Sequence, residues 1–172
     1  MCIRDRRKAI EHEELRVFYQ PIVRLSTGRI AGAEALVRWW HNKSEMVGPE
    51  DFIEVAEETG LIVPIGRWIL KEACRQAHAW HLLYNTESPM TITINVSPRQ
   101  LAQSNLVADV KAALDETRIA PSALQLEITE SMAMSNPKVT TRIFSQLKDM
   151  GVSLSIDDFG TGHSSLLSLI HI

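Results

Sequence analysis

Three short runs in the second half of the chain alternate strictly between aliphatic and polar side chains. Ile92, Ile94 and Val96 interleave with Thr91, Thr93 and Asn95; Leu124, Leu126 and Ile128 with Gln125, Glu127 and Thr129; Val152, Leu154 and Ile156 with Ser153, Ser155 and Asp157. A period of two marks a strand with one apolar face, so strands are predicted over 90–96, 124–129 and 152–157. Elsewhere the period lengthens. Ile65, Ile69, Ala73, Ala77 and Trp80 recur at helical spacing and predict an amphipathic helix over 65–83. Further helices are predicted over 105–117 and from Asn136-Pro137 to Gly151. Ser97-Pro98-Arg99-Gln100 supplies an N-cap serine, a proline at the first helical position and a glutamine placed to reach back, so strand passes straight into helix. Nearer the N-terminus, β-rich runs over 15–23 and 29–39 flank Ser26-Thr27-Gly28 and predict a hairpin. Gly48-Pro49, the acids that follow and Gly60 bound a short helix over 50–59.

Strands alternating with helices of this length imply βαβ units and a mainly parallel sheet. In an open doubly wound sheet both faces meet helices and strands read as nearly continuous apolar runs. The strict alternation here points instead to an α/β barrel of the TIM type, with helices outside and a partly polar interior. A complete (β/α)8 barrel takes about 250 residues. At 172 residues the chain is short for one, which predicts an incomplete barrel of roughly five strands and their helices.

Composition removes several other readings. With 18 Lys+Arg against 21 Asp+Glu the net charge is −3, which does not favour nonspecific attraction to nucleic acid polymers or anionic membranes. No apolar run approaches the roughly 20 residues of a membrane span. The two cysteines, Cys2 and Cys74, have no metal-ligand spacing around them, which excludes disulfide scaffolds and zinc modules.

Glu34, Asn95, Glu127 and Asp157 stand at or near the C-terminal ends of successive predicted strands, each at the polar parity. Three carboxylates and an amide carbonyl are the hard oxygen donors that Mg²⁺ or Mn²⁺ prefers, and without a cation such acids would repel one another. For any single acid, a capping or salt-bridged carboxylate is the competing explanation; recurrence at four equivalent strand ends favours the cation. Asp158 directly follows Asp157 and could assist a second metal if the strand end twists. Arg38 shares the parity of Glu34 and lies four residues on, placed either for a phosphate or for a salt bridge. Phe159-Gly160-Thr161-Gly162 reads as a mobile functional loop or as a plain turn.

Six motifs, in order and in register, resemble the EAL-domain family of bacterial cyclic di-GMP phosphodiesterases. They are Tyr19-Gln20-Pro21-Ile22, Glu34-Ala35-Leu36-Val37-Arg38, Ala56-Glu57-Glu58-Thr59-Gly60, Asn95-Val96-Ser97, Glu127-Ile128-Thr129-Glu130 and Asp157-Asp158-Phe159-Gly160-Thr161-Gly162. The resemblance implies a TIM-like barrel that hydrolyses cyclic di-GMP to linear pGpG with Mg²⁺ or Mn²⁺. Glu34, Asn95, Glu127 and Asp157 match metal ligands, and Asp158 matches the acid that joins them in the two-metal form. Gln20 and Arg38 match substrate contacts. Glu130 matches the residue that steadies the loop after the fifth strand. That loop, residues 158–165, is linked in the family to metal binding and to homodimer formation. A cytoplasmic domain is implied, with any membrane anchor in segments other than this one.

The departures bear on activity. In the family a later Lys, a later Glu that helps activate water, and a Gln near the barrel's end complete the site; all would lie beyond residue 166. His163 stands where Tyr is frequent and Asn42 where Pro is common, neither at a motif acid. A receptor that binds cyclic di-GMP without cleaving it is therefore the alternative reading, and an unrelated metal-dependent barrel enzyme a weaker third. The two ends add an expectation of their own. Met1-Cys2-Ile3-Arg4-Asp5 and the final Leu167-Ser168-Leu169-Ile170-His171-Ile172 can be written as one DNA word read on opposite strands. They resemble a transposase-recognition end used in sequencing libraries, which would make 1–6 and 167–172 adaptor-derived tails around a partial EAL domain at 7–166. Coincidence is the other explanation, and genomic reads crossing either end with different codons would establish it.

Overall fold

The computed structural model describes residues 14–41, 45–84, 89–102 and 105–157. The expected tails, Asp158, the loop 158–165 with His163, and Asn42 lie outside them. The hairpin forms as expected: β1 (Leu15–Arg24) runs antiparallel to β2 (Arg29–His41). Its turn closes through Gly28, whose φ of 67° is the left-handed value that a side chain disfavours, and whose N–H donates to the Arg24 carbonyl at 2.8 Å. β2 runs two residues further than expected and pairs with β3 (Glu45–Val47), a strand of three residues that is too short to show alternation.

α1 (Pro49–Thr59) begins with Pro at N1, carries Glu50 and Asp51 in its first turn, and ends on Gly60 at φ 80°. α2 (Ile62–Tyr84) starts three residues before its apolar stripe, with Pro64 tolerated because its missing N–H falls in the first turn. There follow β4 (Thr91–Asn95), α3 (Pro98–Ala102), α4 (Leu106–Thr117), β5 (Leu124–Thr129), α5 (Glu130–Ser135), α6 (Pro137–Asp149) and β6 (Ser153–Asp157). α5 is a single-turn element that no periodicity announces. The sheet order is β1-β2-β4-β5-β6, with β2, β4, β5 and β6 mutually parallel and β3 attached to β2.

Helices cover one face of this sheet. Ala33, Ala35, Val37 and Trp39 of β2, Ile92 and Ile94 of β4, and Leu124, Leu126 and Ile128 of β5 are all buried against Ile65, Ile69, Ala73, Val110, Ile143 and Leu147 of the helices. The other face carries the polar parity, as expected. Thr93 is the exception to its openness: it is 2% exposed and lies between Glu34 and Gln125 in register.

The capping box at the start of α3 is complete. The Gln100 N–H donates to Ser97 Oγ at 3.2 Å, and the Ser97 N–H donates to Gln100 Oε1 at 3.0 Å. Ser97 is buried, so water cannot readily replace these bonds. Ser97→Ala is expected to lower stability by about 1 kcal/mol, read from the urea midpoint at unchanged slope. A loss below a few tenths would show that the cap contributes nothing.

Candidate active site

The polar face gathers every described residue that the sequence analysis singled out except Glu130. Gln20 lies directly opposite Glu34 across the hairpin, Glu34 pairs with Thr93, Asn95 with Glu127, and Thr129 with Asp157. The donors therefore climb by two residues from β2 to β4, stay level to β5, and climb by two again to β6. Tilted barrel strands require such a stagger: side chains at one height along the axis come from increasing register positions on successive strands.

One expectation is corrected by the topology. Glu34 stands in the middle of β2 and not at its C-terminal end, because β2 continues beyond its parallel partner as part of the hairpin with β1 and β3. Glu34 lies one residue before the last β2–β4 parallel pair, Ala35 with Ile94, so it marks the end of the barrel portion of the strand.

Hydrogen bonds orient the donors. Asn95 Nδ2 donates to Glu34 Oε1 at 2.7 Å, which commits the amide nitrogen to the carboxylate and leaves the carbonyl oxygen Oδ1 as the atom that can ligate a cation. Gln125 Nε2 donates to Ser155 Oγ at 2.9 Å, and Ser155 Oγ donates to Glu127 Oε1 at 3.1 Å. Gln125 and Ser155 hold Glu127 in place, a role the sequence analysis missed; their polar parity was the available signal. Burial raises the Glu127 carboxyl above its ordinary value, against the Ser155 hydrogen bond, and the negative charges of Asp157 and Glu34 raise it further. The acids thus feel one another electrostatically. Among the described residues no three His, Cys, Asp or Glu side chains approach closely enough to form a ready-made metal cage. The donor chemistry, all oxygen with three mutually repelling carboxylates, fits a hard divalent cation.

Glu130 differs from the rest. It is 7% exposed and opens α5 directly after the end of β5, where the helix dipole favours an acid. Arg38 is half-buried on the open face, its Nη1 donating to the Val37 carbonyl at 2.8 Å. Among the described residues it forms no ion pair, so the salt-bridge alternative is not realised there. A separate open groove at the opposite ends of β2 and β4, lined by Tyr19, Trp80, Tyr84 and Thr91, contains none of the acids.

The raised Glu127 carboxyl has a testable sign. With its pKa above the unfolded value, its contribution to stability is full below the ordinary carboxylate range and is lost as pH rises through the raised value. In chelator, Glu127→Gln is therefore expected to raise the thermal midpoint at pH 7, with the gap to the unmodified protein closing as pH falls towards about 4.3. A pH-independent gap would assign the effect to packing.

Comparison with known proteins places this chain in a family. The EAL domain profile matches residues 3–172. The bifunctional diguanylate cyclase/cyclic di-GMP phosphodiesterase MucR of Pseudomonas aeruginosa is 46% identical over 167 residues, covering 97% of this chain and 24% of MucR. The cyclic di-GMP phosphodiesterase NbdA of the same organism is 39% identical over 163 residues, covering 95% of this chain and 21% of NbdA. The chain thus spans about a quarter or less of the length of these relatives. The solved phosphodiesterase portion of MucR in complex with c-di-GMP superposes with a TM-score of 0.90 at 46% identity, covering 97% of this chain and 67% of that one. Its fold is that of the TIM-barrel-like EAL domains, and the chain belongs to the EAL domain family.

Proposed function

We propose that this chain supplies the metal-binding part of a phosphodiesterase that hydrolyses cyclic di-GMP to linear pGpG. The observation that carries the reading is the placement of Glu34, Asn95, Glu127 and Asp157 on the open face of the sheet in barrel stagger. These four would hold a divalent cation, Mg²⁺ or Mn²⁺, with Asp158 assisting a second. Such a cation polarises a phosphoryl oxygen and lowers the pKa of water.

The chain's own groups do the rest. Asn95 presents Oδ1 because its nitrogen is held by Glu34, and Ser155 and Gln125 keep Glu127 from rotating. Arg38 engages a phosphate with its fork, and Gln20, opposite Glu34, contacts the substrate beside the scissile bond. Glu130 acts by steadying the loop 158–165, which follows β6 in the chain. The loop 158–165 is a candidate homodimer contact.

The test is metal-dependent appearance of pGpG when the complete protein, read from its full gene, is given cyclic di-GMP, with loss on chelation. Binding without turnover would make the protein a receptor; no binding would overturn the reading. The 172-residue chain alone is expected to turn over cyclic di-GMP on the order of 100-fold more slowly than the complete domain, since the family's water-activating Glu is not in it. Equal rates would show that segment to be dispensable.

A further inference from the structure

α1 ends on Glu57-Glu58-Thr59, so acidic side chains stand at the end of the helix where its carbonyls already concentrate negative charge, and its last turn holds no basic residue. The cation comes from another element. Arg99 of α3 donates Nη1 to the carbonyl of Glu57 and, at 3.2 Å, to that of Glu58. Gly60 makes the approach possible: a Cβ there would lie 3.2 Å from Arg99 Nη2, and its φ of 80° already disfavours a side chain.

α3 has five residues, too few to hold a helix by its own hydrogen bonds, so its placement depends on what it touches. Leu101 is buried, and Gln100 lies against Gly66 of α2, where a Cβ would come within 1.9 Å of Gln100 Nε2. Arg99 supplies the contact with α1, and that contact closes a circuit. α1 is fixed to β2 through Phe52, edge-on to Trp39 at 6.0 Å, and β2 carries Glu34. On the other side, α3 follows Asn95 through Val96 and Ser97, with the Val96 N–H bound to the Glu127 carbonyl at 2.8 Å and Ser97 held in the capping box. At the site itself Asn95 donates to Glu34 at 2.7 Å across the same two strands. The Asn95 amide has two tasks, bonding Glu34 through Nδ2 and offering Oδ1 to a cation, and small displacements of a ligand weaken a hard-cation site.

We propose that Arg99 is a positioning residue for the cation site: by tying the turn after Asn95 to the end of α1, it keeps the Asn95 amide where it can bridge Glu34 and the cation. This rests on the phosphodiesterase reading above and extends it to a residue that itself touches neither cation nor substrate.

Arg99→Met, Arg99→Lys, Asn95→Ala and the double variant Asn95→Ala/Arg99→Met of the complete protein test it. Mn²⁺ affinity is read without substrate from the paramagnetic resonance of the free ion, alongside kcat and KM with cyclic di-GMP and the urea midpoint. Arg99→Met is expected to raise the Mn²⁺ Kd about tenfold and to lower kcat at limiting Mn²⁺ by about as much, with KM changed less than about threefold. Arg99→Lys keeps the charge, loses the fork and falls between the unmodified protein and Arg99→Met. In the double variant the loss of Arg99 adds less than about twofold to the Kd of Asn95→Ala, because the amide it positions is gone. A lowered urea midpoint with the Mn²⁺ Kd within about twofold in both single Arg99 variants would make Arg99 a helix cap alone and overturn the proposal. Losses that multiply in the double variant would overturn it as well. Mn²⁺ binding without cleavage of cyclic di-GMP by the unmodified protein would overturn the phosphodiesterase reading, and the Mn²⁺ series would still decide the role of Arg99. Absence of Mn²⁺ binding by the unmodified protein overturns both.

Discussion

Glu34→Ala is expected to reduce cyclic di-GMP hydrolysis by the complete protein at least about 1000-fold, equivalent to about 4 kcal/mol of lost transition-state stabilisation. The substitution removes one of three convergent carboxylates and, at the same time, the acceptor that fixes the Asn95 amide. Two of the four proposed cation donors are therefore lost or freed by one change. The fold should survive, because the side chain projects from the open face, opposite Gln20, and contributes nothing to the apolar core. Glu34→Gln separates the two effects: it keeps an oxygen for Asn95 Nδ2 but carries no charge. Loss of activity in Glu34→Gln as deep as in Glu34→Ala assigns the role to charge at the cation. Activity in both variants within tenfold of the unmodified protein would remove Glu34 from the site.

The largest expected loss of stability is at Trp39. Its ring is 1% exposed and packs edge-on against Phe52 of α1 at 6.0 Å and His41 at 4.9 Å, while the indole N–H donates to Glu14 at 2.9 Å. It joins the hairpin, β3 and α1, so Trp39→Ala is expected to lower unfolding free energy by about 3–5 kcal/mol, a large share of the ~5–15 kcal/mol typical of a domain. Trp40, the next residue, provides the internal control. It is 37% exposed on the opposite face, and Trp40→Ala should change stability by less than about 1 kcal/mol. Urea denaturation of both variants decides the point; equal losses would mean that the alternation of β2 does not determine what it buries.

These neighbouring tryptophans show how far local reading reaches. Trp39 shares the parity of Ala33, Ala35 and Val37, so its burial follows from counting by twos. The same holds for Ile92 and Ile94 against Thr91 and Asn95, and for Leu124, Leu126 and Ile128 against Glu127. Ser97 and Gln100 are equally legible, because both bonds of a capping box lie within four consecutive residues. β3 and α5 were not, since a strand of three residues and a helix of six show no period. β3 exists because Trp39, Trp40 and His41 offer it a backbone edge.

The alternation, the caps and the left-handed turn glycines are properties of the backbone within a few residues, and the sequence by itself determined them: which elements form, which face of each strand is apolar, and which acids share a parity. The tertiary structure alone decided the rest. That Glu34 ends the parallel part of its strand, that Asn95 leans on Glu34, and that Ser155 and Gln125 brace Glu127 all depend on strand register. Register is set by the packing of the whole buried face against the helices and by the tilt of the barrel strands, and neither is a property of any one segment.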